Sequence, residues 1–378
     1  MSHVALLIPG LDRIGGAERQ VILLATGLRQ RGWKVTVVAL SGTGDRAADE
    51  LHAAGVAFLS LGMRKGLADP RGWIRFHRWL KKQAPDVVHA HLPHAAWLSR
   101  WSRLAAHVPV LVDTLHSCAT GTLVRRLGYR WSNWIPDRVT AVSQAVADAH
   151  RSASMVPKEK LAVLPNGVDV VAWRPDAAVR IASRREFGLG KEFLWFAAGR
   201  LEPVKDYPTL LQALAQTGDD SRLVIAGSGP LRDELARLAA TLNLEHRIRF
   251  LGFEPDVRRW MQAADGFVLS SRWEGLPMGL LEAAACALPT VATDVPGTRE
   301  VIADGRTGWL TPPGDATALG EAMNRMMHTP LEERCAMGGK ARQQIVERYS
   351  LDAVLDEWET LYRDLLNRRG TCGCDDAS

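Results

Sequence analysis

The sequence is short of the features that mark secreted, membrane-spanning or zinc-clustered chains. Its five cysteines, Cys118, Cys286, Cys335, Cys372 and Cys374, are scattered at spacings that form neither a disulfide framework nor a zinc motif. No stretch approaches the ~20 apolar residues that a bilayer span needs. The opening "MSHVALLIPG" has no basic leader, and its apolar run is too short for a signal peptide, so a cytoplasmic chain is the expectation. The dinucleotide fingerprint G-x-G-x-x-G is also missing. "GSGP" at 227–230 supplies only G-x-G, which disfavours a nicotinamide dehydrogenase.

What is present is apolar mass and an uneven charge. The 378 residues are 47% hydrophobic, enough for a large core and too many for global disorder. Net charge is +5, but residues 1–165 hold 22 Lys and Arg against 11 Asp and Glu, whereas the remainder holds 25 against 31. A basic first half suits an anionic partner, such as a membrane surface, nucleic acid or a phosphorylated substrate; a merely solvated basic surface is the alternative. Nucleic acid is set aside because no recognisable binding module accompanies the charge.

Short β-rich apolar runs alternate with amphipathic segments. Strands are predicted at 3–9, 34–40, 86–91, 108–115, 137–142 and 160–164, with helical patterns between them, for example at 17–31 and 71–83. After the turn-rich "LPNGVDVVAWRPD" the pattern restarts at 193–199, 222–227, 248–253, 266–270 and 289–293, with a weaker strand at 307–311. The expectation is an α/β chain of two doubly wound, Rossmann-like domains, 1–168 and 169–350. A terminal helix at 351–370 is expected to pack back towards the first domain, followed by a disordered tail at 371–378. Ligands of such sheets sit beyond the carboxyl ends of strands, so the chemistry is sought in strand-to-helix loops.

Three such loops carry candidates. In "PGLDRIGGAERQ", Gly15 and Gly16 precede a helix and allow backbone amides to approach an anion; a simple tight turn is the alternative. In "GRLEPVKDYPTLLQAL", Arg200 and Lys205 follow a strand and suit a diphosphate, unless they are ordinary surface charge. In "SRWEGLPMGLLEAAACALPTVATD", Pro277 fits the first turn of a helix running from about Pro277 to Ala287. That places Glu274 in the loop, Glu282 in the second helical turn, and free amides near Met278 and Gly279. Glu282 could then accept hydroxyl hydrogens from a ribose and Glu274 those of a sugar further out, although each could equally be a solvated carboxylate.

In this order the segments resemble the retaining glycosyltransferases of family 4, with the GT-B fold. The resemblance rests most on E-x7-E, from Glu274 to Glu282, and is supported by "GGAER", "LPNGVD", "GRLEPVKDYPTLLQAL", "LVIAGSGPL" and "IRFLGF". It implies nucleotide-sugar binding mostly in the second domain and acceptor binding mostly in the first, with no metal or other cofactor required. It further implies front-face transfer with retention, in which the departing phosphate helps to take the acceptor's proton. Arg200 and Lys205 take the place of the diphosphate pair, Glu282 that of the ribose ligand and Glu274 that of the residue facing the donor sugar. Gly275, Leu276, Pro277, Met278 and Gly279 supply further donor contacts, and Gly16 approaches the diphosphate from the first domain. Where many members have Phe-Gly after the glycine that follows the first glutamate, this chain has Leu276-Pro277, which bears on donor-sugar preference.

His116, in "VDTLHSC", matches the family histidine near the transferred sugar and is counted with Glu274, Arg200 and Lys205 as catalytic. His89, His91 and His94 form a denser group in "VVHAHLPH"; alternation puts His89 and His91 on one strand face, but no diagnostic metal spacing accompanies them. The stretch 121–134, "GTLVRRLGYRWSNW", combines Arg125, Arg126 and Arg130 with Tyr129, Trp131 and Trp134. It suits an anionic membrane face at the inner side of the cytoplasmic membrane, stacking on acceptor sugars, or a plain packed helix. The function expected is transfer of a hexosyl or N-acetylhexosaminyl group from a nucleotide-diphosphate sugar, UDP-linked in preference to GDP-mannose, to a glycan or lipid-linked glycan. The rival readings are a non-catalytic sugar-nucleotide-binding protein and a phosphorylase-like or epimerase-like enzyme.

Overall fold

The computed structural model describes residues 1–64 and 69–371, and within them the chain forms two compact units. The expected tail, with Cys372 and Cys374, lies outside the described residues after Thr371. The first unit spans Met1–Gly167. Its strands are β1 (His3–Ile8), β2 (Lys34–Ala39), β3 (Ala57–Ser60), β4 (Val87–His91), β5 (Val110–Leu115), β6 (Arg138–Ala141) and β7 (Leu161–Val163), joined by helices α1 (Gly16–Gln30), α2 (Asp45–Ala53), α3 (Pro70–Gln83), α4 (Pro93–Arg103), α5 (Leu123–Ser132) and α6 (Gln144–Ser152). The strands pair in parallel, in the order β3-β2-β1-β4-β5-β6-β7.

The second unit spans Val168–Ser350. It holds α7 (Ala177–Glu186), β8 (Phe193–Ala198), α8 (Tyr207–Leu214), β9 (Ser221–Ala226), α9 (Arg232–Thr241), β10 (Ile248–Gly252), α10 (Val257–Ala263), β11 (Gly266–Leu269), α11 (Met278–Ala285), β12 (Thr290–Thr293), α12 (Pro296–Arg299), β13 (Trp309–Thr311), α13 (Ala316–His328) and α14 (Leu331–Arg348). Its parallel sheet runs β10-β9-β8-β11-β12-β13. The chain then returns, and α15 (Leu351–Thr371) belongs to the first unit.

The central strands are buried end to end because helices cover both faces of a parallel sheet. All six residues of β1 are buried, and β4, β5, β11 and β12 are buried throughout. Helix starts follow local capping chemistry. The Asp69 side chain accepts from the Arg71 amide at 3.0 Å, with Pro70 in the first turn of α3. Asp315 caps α13 in the same way, at 2.9 Å from the Ala318 amide. The first core gathers Val4, Leu6 and Ile8 with one face of α1 and with Val354, Leu355, Trp358, Tyr362 and Leu365 of α15. The second gathers Trp195, Leu210, Leu211, Leu214, Val268 and Met323.

In each sheet the connection direction reverses once, between β1 and β4 and between β8 and β11. A crevice opens at such a reversal, outside the carboxyl ends of the two strands. The loops that leave β8, β11, β1 and β4 therefore frame the candidate sites. One strand, β3, was not anticipated: it is a four-residue edge strand whose first residue is exposed.

Candidate active site

In the second unit, β8 ends at Ala198 and β11 at Leu269, and the loops that follow are tied to each other. Ser270 Oγ donates to the Lys205 carbonyl at 2.8 Å, and the Arg272 amide donates to the Val204 carbonyl at 2.8 Å. Across this junction Lys205 Nζ stands 2.5 Å from Glu274 Oε1. Ser271 Oγ donates to the same carboxylate oxygen at 2.6 Å. Glu274 is only 9% exposed, so the solvated-carboxylate alternative is corrected: it is a buried carboxylate held by a cation and a hydroxyl.

The loop that carries Glu274 has its own support. Thr293 Oγ1 donates to the Ser271 carbonyl at 2.6 Å, and Thr298 Oγ1 to the Thr293 carbonyl at 2.6 Å. Gly297, in α12, lies against the Glu274–Gly275 backbone so closely that a Cβ there would fall 2.6 Å from the Gly275 carbonyl oxygen and 2.7 Å from that of Glu274. The loop after β8 is supported on its other side by the "GSGP" segment. A Cβ on Gly227 would meet the Gly199 carbonyl oxygen at 1.8 Å, and one on Gly229 the Leu201 carbonyl oxygen at 2.4 Å. Those two glycines permit close backbone packing of the Arg200 loop.

Arg200 and Lys205 engage different carboxylates. Lys205 turns to Glu274, while the Arg200 side chain is 69% exposed and bonds Glu202 at 2.9 Å. Helix α11 begins one residue later than expected and ends two earlier, at Met278–Ala285. Pro277 is its N-cap in extended backbone, and its carbonyl accepts from the Leu280 and Leu281 amides at 3.1 and 3.3 Å. The amides of Met278 and Gly279 thus have no carbonyl of their own helix to bond, and they carry the positive end of its dipole. Gly275 and Leu276 join Glu274 to this helix start, and Leu276 is buried. Glu282 is half-buried in the second turn; together with burial, its charge helps to push the Cys286 thiol up to about 12, which makes that cysteine an inert core group.

At the carboxyl end of the first unit's sheet, Gly16 is the first residue of α1, and the Gly15 amide donates to Glu18 Oε2 at 3.0 Å. Strand register pairs His91 with Thr114, so His91 and His116 emerge from neighbouring strands. His91 Nδ1 lies 3.0 Å from His116 Nε2. His89 is fully buried, with Nδ1 2.6 Å from the Tyr362 hydroxyl and Nε2 2.6 Å from Thr114 Oγ1. Both of its nitrogens are engaged, so it cannot ligate a metal, and His94 is exposed at the start of α4. Among the described residues no group of His, Cys, Asp or Glu is placed to hold a metal ion. Burial lowers His116 to about 4, and it holds His89 and His91 well below the ordinary imidazole value, so all three are neutral at pH 7.

Helix α5 divides the residues of 121–134. Tyr129 is buried under the Arg100 guanidinium, 4.5 Å from its ring centre, so it is a core residue and not an interfacial aromatic. Arg100 Nε meets Asp113 at 2.6 Å, and its Nη1 meets Ser132 Oγ at 2.6 Å, fixing that face of α5. Arg125 is half-buried. Leu123, Leu127, Trp131 and Trp134 project outward with Arg126 and Arg130, Trp131 being 76% and Trp134 67% exposed. Among the described residues no helix is long and apolar enough to cross a membrane.

Sequence reasoning did not single out Ser271, Thr298, Gly297 or Tyr362. Ser271 stands three residues before Glu274, a spacing that could have suggested a local bond. Thr298 likewise bonds locally, to the Thr293 carbonyl, whereas Gly297 and Tyr362 act across 22 to 273 residues of sequence, a range that no local pattern reports.

Two doubly wound parallel units with their candidate residues at the strand ends form the GT-B architecture of glycosyltransferases. Residues 14–171 match the family model Glycosyltransferase Family 4, and residues 179–344 match Glycosyl transferases group 1. The chain is 31% identical to the phosphatidyl-myo-inositol mannosyltransferase of Mycobacterium leprae, over 95% of this chain and 96% of that one. It is 28% identical to the UDP-Gal:alpha-D-GlcNAc-diphosphoundecaprenol alpha-1,3-galactosyltransferase of Escherichia coli, over 79% and 81%. The crystal structure of Anabaena HepE in complex with UDP-glucose superimposes with a TM-score of 0.85 at 23% identity, over 96% of this chain and 99% of that one. The chain belongs to the group 1, family 4 glycosyltransferases, and it is a glycosyltransferase.

Proposed function

We propose that this enzyme transfers a hexosyl or N-acetylhexosaminyl group from a UDP-sugar to a glycan or lipid-linked glycan, with retention at the anomeric carbon. The observation that carries the reading is the junction at the β8/β11 reversal, where Lys205, Glu274 and the start of α11 meet. An anion there would face the Met278 and Gly279 amides and the Lys205 ammonium, with the exposed Arg200 side chain on the same loop. Glu282 would accept from ribose hydroxyls. Glu274, held by Ser271 and Lys205, would face the sugar. The acceptor oxygen would bond to the anomeric carbon on the face from which the diphosphate leaves, and a departing phosphate oxygen would take the hydroxyl proton. The chain's share is to stabilise the charge that grows on the diphosphate. Names of relatives support the donor and acceptor classes: one relative is named for UDP-Gal and a diphosphoundecaprenol acceptor, and a structural neighbour was solved with UDP-glucose.

A thermal-shift panel of UDP- and GDP-sugars tests the donor, since a ligand at 100 times its dissociation constant adds about 2.7 kcal/mol of stability. Nucleotide release upon addition of a lipid-diphosphate glycan, with the anomeric configuration of the product read by NMR, tests the reaction. Sugar phosphate in place of nucleotide among the products would move the assignment to a phosphorylase. We also infer that no metal is required, the cations and helix amides taking that part; activity is expected to survive EDTA.

The outward stripe of α5 supports a peripheral contact with an anionic membrane. Leu123, Leu127 and Trp131 recur every four residues, Trp134 continues the stripe, and Arg126 and Arg130 flank it, a pattern suited to the interface of a negatively charged leaflet. Sedimentation with phosphatidylglycerol vesicles is expected for the unmodified protein. It should weaken in an Arg126→Gln/Arg130→Gln variant, most visibly at low salt.

A further inference from the structure

Of the histidines at the end of the first unit's sheet, His89 belongs to a hydrogen-bonded row whose proton positions follow from its carbonyl end. Thr140 Oγ1 lies 3.3 Å from the Asp113 carbonyl oxygen, which can only accept, so Thr140 donates there. Thr140 then accepts from Thr114 Oγ1 at 2.6 Å, and Thr114 accepts from His89 Nε2 at 2.6 Å. The His89 proton is therefore on Nε2, and its Nδ1 accepts from the Tyr362 hydroxyl at 2.6 Å. Each donor finds one acceptor. The opposite direction would leave the hydroxyl hydrogen of fully buried Tyr362 without a partner among the described residues.

His89 is thereby saturated, and its ring packs 4.0 Å from that of His91 without a hydrogen bond to it. His91 has a single polar contact, Nδ1 to His116 Nε2 at 3.0 Å, and its own Nε2 is buried without a partner among the described residues. A proton on that Nε2 would be a buried N–H with nothing to accept it, the costlier of the two orphans. The His91 proton therefore sits on Nδ1 and is given to His116 Nε2. A neutral His116 must then carry its proton on Nδ1.

We propose that His91 is a positioning residue that fixes His116 as the Nδ1–H tautomer, so that His116 meets substrate as a neutral hydrogen-bond donor and not as a base. The tautomer follows from the single bond of His91 and its partnerless Nε2; its use in catalysis rests on the reading of His116 as the residue beside the transferred sugar. The two parts separate by experiment. Two-bond proton–nitrogen NMR spectra of the full chain with labelled histidine, assigned by difference against His116→Gln and His91→Asn, report which nitrogen of His116 is protonated. Nδ1 protonated and Nε2 bare is expected; a proton on Nε2 overturns the proposal. His91→Asn keeps an N–H near the position of Nδ1 and is expected to retain the tautomer and most of the turnover. His91→Leu removes the donor; because His116 is only half-buried, water can then accept from Nε2, so an Nε2–H population is expected to appear beside the Nδ1–H form, and kcat to fall about tenfold with the donor KM little changed. If His91→Leu shifts the tautomer but leaves kcat unchanged, the placement of His116 beside the sugar is overturned while the proton assignment stands. If Asn and Leu variants fold and lose activity equally, the hydrogen bond has no positioning role.

Discussion

Glu274 shows how much one residue's surroundings decide. A carboxylate that is 9% exposed needs partners, and it has Lys205 and Ser271 on one oxygen. Removing Lys205 would take away the cation that faces that charge, so Lys205→Ala is expected to weaken donor binding and also to lower stability, read as a fall in the second unit's melting temperature. Glu274→Gln is the cleaner probe, because it keeps size and an acceptor oxygen. If Glu274 serves the sugar and Glu282 the ribose, Glu274→Gln should leave affinity for the free nucleotide diphosphate nearly unchanged while transfer falls. Glu282→Gln should weaken both donor and nucleotide diphosphate. Calorimetric titration of the two variants with UDP separates these roles, and equal losses in both would reject the division. The buried histidines give a second expectation at this scale. Their folded pKa values lie below the ordinary 6.5, near 4 for His116, so the unfolded chain takes up protons in that interval and the folded chain does not. Stability should therefore be full above pH 6.5 and fall as pH drops from 6.5 towards 4, by up to about 1.4 kcal/mol per pH unit for each histidine involved. Urea midpoints measured across that range check the slope, and a flat profile would mean that these imidazoles titrate in place.

At the scale of elements, the clearest case is the four-residue helix α12 set against the Glu274 loop. Gly297→Ala would force apart two backbones that have no room for a methyl group. Displacing the Glu274 loop by even a few tenths of an ångström, with the fold retained, is expected to cut kcat by roughly 10- to 100-fold. Wild-type turnover in that variant would show that the loop relocates without consequence. What the sequence made legible here was periodic: the β-rich runs, the alternation that set His89 and His91 on one face, and the helix in which Glu282 falls. What it hid depended on register and on close approach. The His91–His116 bond requires β4 and β5 to be neighbours with His91 opposite Thr114. The Lys205–Glu274 pair requires β8 beside β11 across a reversal of direction. Nothing in "GTREVI" announces that its glycine exists for a carbonyl more than twenty residues earlier. The resemblance supplied the candidate residues, and only the packing revealed that Lys205 faces Glu274 and that Tyr129 turns inward.

For the whole molecule, the chain order is the consequential fact. It builds one sheet, builds a second, and then returns to finish the first core with α15. Val354, Leu355, Trp358, Tyr362 and Leu365 are buried there, Trp33 Nε1 donates to Glu359 at 2.6 Å, and the Tyr362 hydroxyl closes the histidine row. Burying a large apolar side chain is worth about 1.5–3 kcal/mol, so these five together supply roughly 8–15 kcal/mol, as much as the entire stability of an ordinary domain at about 5–15. The second unit has a separate core that draws nothing from α15. A chain ending at Ser350 is therefore expected to lose the cooperative transition of the first unit and to keep that of the second. Scanning calorimetry should show one surviving transition, and limited proteolysis should degrade residues 1–167 while sparing a fragment close to 168–350. A milder version, Tyr362→Phe, leaves the helix and removes only the hydroxyl that bonds His89 Nδ1; it should lower the first unit's stability by about 1–3 kcal/mol. Two intact transitions in the truncated chain would mean that the seven-stranded sheet closes its core without the returning helix.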